Sequence, residues 1–196
     1  MNLNTPHIKA FLDGVDLVLN SNTFLLELKA DFTDAEKATE EVSEFIRSGA
    51  FKNQILKQDL ERGWENYHYL GVPDVEGDLF KPNFRIELKE LSNEASIDYL
   101  RNMLTIEQKE SDFYSPYRNQ MEKNKAQQLV VNFLHELLLQ MNWKLFQLNT
   151  DFSYTREEIR NENEMAYFEG DYGSDSATLL VREDGRAFIL LTNGLD

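Results

Sequence analysis

The sequence predicts an α+β fold: a helix-rich body of about five helices with a small antiparallel sheet that includes a C-terminal β-meander or hairpin. Three observations predict it. Apolar residues recur at helical spacing through most of the first 142 positions, two short runs in that stretch alternate instead, and two β-favouring runs near the C-terminus flank an Asp-Gly pair. A hydrophobic fraction of 41% with 12% aromatics, in 196 residues, supplies a packed interior despite a net charge of −15, which separates the chain from acidic disordered sequences. The expectation is one unit over residues 1–196, with a division into a mainly helical 1–142 and a mainly β 143–196 as the alternative.

The first helix follows Thr5-Pro6, a capping hydroxyl before a first-turn proline, and carries Ile8, Phe11, Leu12, Val15, Val18 and Leu19, with Gly14 as a weak point. Phe24, Leu26 and Leu28 then alternate with Leu25, Glu27 and Lys29, a strand with one buried and one mostly wet face. Thr33-Asp34-Ala35-Glu36 has the spacing of a capping box ahead of Ala38, Val42, Phe45 and Ile46. A second helix through Phe51, Ile55, Leu56 and Leu60 completes a helical hairpin over 33–63.

Periodicity fails from Trp64 to Pro82, where Gly71, Pro73, Gly77 and Pro82 mark a loop. Phe84, Ile86 and Leu88 alternate with Arg85, Glu87 and Lys89, a strand expected to pair with the first one. Helices are expected from Asn93 to about Asp112 and from Ser115-Pro116 to about Met141. Trp143–Leu148 reads as a strand, with a continuation of the helix as the alternative for so short a run. Ser176–Val181 and Ala187–Thr192, joined by Glu183-Asp184-Gly185, read as a hairpin, with a preceding strand near Met165–Phe168 completing a meander.

Composition excludes several kinds of chemistry. With no cysteine, thiol catalysis, thiolate zinc sites and disulfides are excluded. An excess of 35 acidic over 20 basic residues repels phosphates, so direct nucleic-acid binding is not expected. The N-terminal stretch lacks the pattern of a secretory signal and no run reaches a membrane span, which points to a cytoplasmic protein with no membrane partner.

His7, His68 and His135 lack the paired spacing of a metal site. Glu65 and His68 form one E-x-x-H where a di-iron bundle needs two. Asp74, Glu76 and Asp78 alternate as a calcium loop begins, but Leu79 replaces its glycine and Arg85 its terminal glutamate. Gly170-Asp171-Tyr172-Gly173 has no strand-to-helix context for a cofactor turn. The expectation is no catalytic residues, no metal and no cofactor.

The feature that selects a function is the acidic density of 157–175. Glu157, Glu158, Glu162, Glu164, Glu169, Asp171 and Asp175 are offset by Arg160 alone, with Tyr154, Tyr167 and Tyr172 interspersed. Carboxylates steer a basic surface inward while aromatic rings anchor it. The expected function is therefore a protein-binding inhibitor, most concretely an immunity protein that neutralises a bacterial toxin domain such as a basic nuclease. Trp64, Tyr67, Tyr69, Asp74, Glu76 and Asp78 form a secondary candidate contact loop. The alternatives are a metal-dependent or acid–base enzyme built on Glu65, His68, Asp74, Glu76 and Asp78, and an inhibitor that mimics nucleic acid.

Overall fold

Every residue of β4 (Ser176–Arg182) is buried, and a strand that is apolar on both faces must be covered on both. The computed structural model, which describes residues 2–62, 81–105, 113, 120–153 and 175–194, shows how. The other strands are β1 (Ser21–Lys29), β2 (Leu88–Leu91), β3 (Trp143–Leu148) and β5 (Arg186–Gly194); the helices are α1 (Pro6–Leu19), α2 (Ala35–Arg47), α3 (Gly49–Arg62), α4 (Asn93–Thr105) and α5 (Lys123–Leu138). The strands form one sheet in the order β1-β5-β4-β3-β2, antiparallel at every junction. Strands β2 to β5 are thus a meander, and β1 joins its β5 edge, so elements from both ends of the chain share one sheet. The α+β architecture expected from the sequence is the one observed.

Two cores follow from the sheet's two faces. Phe24, Leu26, Leu179 and Ile189 pack with Val42 and Ile46 of α2 and Phe51 and Ile55 of α3. Leu25, Leu145, Leu180 and Phe188 pack with Phe11 and Val15 of α1, Met103 of α4 and Phe133 of α5. This corrects the expectation of a wet face on β1: Leu25 is fully buried, because α1 covers the side that alternation assigned to water. Gly14 has its use here. A Cβ at that position would lie 3.2 Å from Leu104 Cδ2 and 3.4 Å from both Leu129 Cδ1 and Met121 Cε, so the bare backbone lets α1 approach α4 and α5. One turn away, Phe11 stacks on Phe133 with ring centroids 4.2 Å apart.

Helix α1 starts as its sequence dictates: the Thr5 hydroxyl accepts from the Ile8 N–H at 3.4 Å. Helix α2 starts one residue later than its capping-box spacing implies. Asp34, not Thr33, is the cap, and its Oδ1 accepts from the N–H groups of Glu36 and Lys37 at 3.0 and 3.1 Å. The Thr33 hydroxyl instead donates to Asp31 Oδ1 at 2.8 Å. Ser48 alone separates α2 from α3, the short joint expected of the helical hairpin.

Three further expectations are revised. The alternating run at 84–88 does not pair with β1; the ladder covers Leu88–Leu91, against β3, at the opposite edge of the sheet. Before Leu88 the Asn149 side chain replaces the ladder, accepting from the Glu87 N–H at 2.8 Å and donating to the Arg85 carbonyl at 2.7 Å. Helix α5 begins at Lys123, because the Met121 N–H is drawn to the Leu104 carbonyl at 2.9 Å; Ser115 and Pro116 lie outside the described residues. It ends at Leu138, where Leu139 and Gln140 take left-handed backbone with φ of 51° and 63°. The expected strand at 165–168 and the end of the fourth helix beyond Thr105 lie outside the described residues. Among those described, no helix is long and apolar enough to cross a membrane.

Candidate functional site

The hairpin turn Glu183–Gly185 closes one end of the sheet, with Gly185 at φ 79°. The opposite, far end is polar although buried. Thr23, Thr192 and Ser176 form one rung across β1, β5 and β4, and the Ser176 and Thr192 hydroxyls are 2.7 Å apart. Ser21, Asn22, Thr178 and Asn193 are buried beside them. Hydroxyls that bond across strands tie strand ends together, since each would lose water for nothing if the register slipped.

The far end is also where the described flanks of the two candidate segments meet. The Lys81 N–H, at the end of the loop, donates to the carbonyl of Phe152, just before the acidic segment, at 2.9 Å. Phe152 lies edge-on to Phe84 and to Phe51, with centroids 6.1 Å apart in both pairs. The Arg47 guanidinium sits 4.3 Å above the Phe84 ring and donates to the Phe84 carbonyl at 3.0 Å. Asp175 immediately precedes Ser176, one residue from the Leu148–Ala177 pair that ends β3. Packed aromatics and a paired backbone therefore hold the described flanks of both segments on the scaffold.

Of the candidate contact residues singled out from sequence, only Asp175 is described. Glu157, Glu158, Glu162, Glu164, Tyr167, Glu169, Asp171 and Tyr172 lie outside the described residues, as do Trp64, Tyr67, Tyr69, Asp74, Glu76 and Asp78, and with them Glu65, His68 and the 170–173 turn. His7 and His135 are both exposed, in the first turn of α1 and the last of α5. No group of three His, Asp or Glu side chains able to hold a metal ion occurs among the described residues. A described acidic surface exists on α2, where Glu36, Glu40 and Glu44 are exposed at four-residue spacing, on the face away from the apolar stripe of an amphipathic helix.

One arrangement escaped the sequence. The outer edge of β1 faces a groove of about 900 Å³ between α1 and α3, lined among others by Lys9, Glu27, Lys29, Gln54 and Gln58. Gln54 and Gln58 bond the backbone of β1 itself. Their four-residue spacing was the available signal, but it shows that two side chains share a helix face, not that a strand edge lies under them. Compared with family models, curated proteins and solved structures, the chain returns no match.

Proposed function

We propose that the chain works by binding another protein, most concretely as the cytoplasmic immunity protein of a bacterial toxin domain, with the far end of the sheet as the contact surface. One observation carries this reading: the Lys81 to Phe152 hydrogen bond joins the flanks of the aromatic loop and of the acidic segment. The described flanks of two stretches that are separate in sequence thereby meet at one end of a covered sheet, and the rings and carboxylates in the sequences of those stretches suit a cationic partner. A net charge of −15 accelerates encounter with such a partner and makes it salt-dependent. An inhibitor needs a rigid support and no reacting groups, and the doubly covered sheet is a rigid support.

Affinity capture of the tagged chain at low and high salt tests this. The expected result is a stoichiometric, basic partner retained at low salt and weakened at high salt. Reversing charge at Glu169, Asp171 and Asp175 should weaken capture at least tenfold and flatten its salt dependence while the thermal midpoint stays put. Capture of nothing at either salt would overturn the reading; undiminished capture by the triple variant would remove this surface from it.

A further inference from the structure

Strand β1 ends the sheet, and the outward N–H and C=O groups of an edge strand pair with any extended chain that reaches them. At Leu25 and Glu27 those groups are already taken. Gln58 Oε1 accepts from the Leu25 N–H at 3.2 Å while its Nε2 donates to the Leu25 carbonyl at 2.8 Å. Gln54 does the same for Glu27, at 2.9 Å in both directions. A primary amide offers the same donor and acceptor as a peptide bond. Two side chains one helical turn apart on α3 thus stand where two alternate residues of a further strand would stand.

The edge they cover is self-complementary. If a second copy met β1 about a two-fold axis through Leu26, Leu25 would face Glu27 of that copy and Glu27 its Leu25. Each such antiparallel pair exchanges two N–H to C=O bonds, so two pairs satisfy, on each copy, all four backbone groups that the glutamines now hold. Lys29 would face Thr23, and no like charges would be directly opposed. We propose that β1 is a latent self-docking edge for a second copy of this chain, and that Gln54 and Gln58 are the guard that keeps it closed. Two-fold contacts of this kind bury the same surface on both copies and so terminate at a dimer.

The test compares the molar mass of the parent with that of Gln54→Ala/Gln58→Ala, by light scattering across a concentration series. The double variant is expected to form a discrete species of twice the parent's mass. Adding Glu27→Pro, which removes an outward N–H without touching the β5 ladder, should return the mass to the parent's. An unchanged mass in the folded double variant would overturn the proposal, as would a doubled mass that survives Glu27→Pro. If the double variant does not fold, amide exchange in the parent decides. Leu25 and Glu27 amides should exchange within about tenfold of those of Phe24 and Leu26, which face β5. Exchange at the rate of unpaired amides would show that no guard operates.

Discussion

Arg182 Nη2 donates to Asp184 Oδ2 at 2.6 Å across the start of the β4–β5 turn, with the arginine side chain only 2% exposed and the aspartate 34%. The same guanidinium donates to the Leu137 carbonyl at 3.2 Å, near the end of α5, and reaches Met141 Sδ at 3.0 Å. It therefore ties the hairpin to a helix terminus whose carbonyl has no helical partner. Removing one member of a buried pair leaves the other charge uncompensated, whereas replacing the buried charge by an apolar chain does not. Asp184→Ala should cost about 3 kcal/mol, at the lower end for a broken buried pair because Asp184 reaches water, and Arg182→Met about 1 kcal/mol. Equal losses in urea denaturation would show that the ion pair is not what holds the turn.

Acid should act through Asp31 and Asp184. The Lys37 ammonium, 2.8 Å from Asp31 Oδ2, and then the backbone N–H and hydroxyl of Thr33 hold the Asp31 carboxyl well below the usual range. Burial pushes Asp184 up, but the Arg186 N–H and the charges of Arg182 and Arg186 outweigh it and hold it low. A depressed carboxyl contributes stability above its unfolded value of about 3.9 and loses it as pH falls toward the folded value. Stability should therefore decline below about pH 4, and Asp31→Asn should flatten that decline. On the alkaline side Lys37 is raised, chiefly by the hydrogen bond to Asp31. Its contribution is present below an unfolded value of about 10.4 and lost as pH rises through the folded one. Urea midpoints of parent and Asp31→Asn at pH 5, 3 and 2 check the acid limb; parallel curves would remove Asp31 from it.

Gly14 sets a size limit rather than a conformational one. Its would-be Cβ meets only the tips of flexible side chains, and alanine in a helix interior is favoured over glycine by about 1 kcal/mol. These effects oppose each other, so Gly14→Ala should fall within about 1 kcal/mol of the parent. Gly14→Val should cost about 2 to 3 kcal/mol by overpacking against Leu104. Thermal melts of both variants measure this, and a well-tolerated valine would mean that α1 is not closely seated.

The start of α2 distinguishes two candidate caps. Asp34→Ala removes the acceptor for two orphan N–H groups and should cost about 1 kcal/mol. Thr33→Ala removes only a surface bond to Asp31 and should cost less than about 0.5 kcal/mol. Denaturation of the two single variants separates them, and the reverse order would return the cap to Thr33.

For most of the described segments the sequence by itself determined helix or strand, because each choice rests on information a few residues long; the run at 84–88 is the exception, since its ladder covers Leu88–Leu91. Thr5 and Pro6 start α1, Val42 and Ile46 mark the inward face of α2, and Asp184 and Gly185 turn the hairpin between β4 and β5. What it left open is neighbourhood. Period-two alternation states which side chains share a face, not which strand lies beside them, so the run near Leu88 looked as suitable a partner for β1 as β5 proved to be. Burial on both faces of β1 was likewise hidden, since Leu25 beside Glu27 and Lys29 resembles a wet face until α1 is laid over it. Only the tertiary structure brought Lys81 to Phe152 and the amides of Gln54 and Gln58 to the edge of β1. Each of those contacts has a backbone N–H or C=O on at least one side, which any residue supplies, and so the residue types do not announce which segments meet.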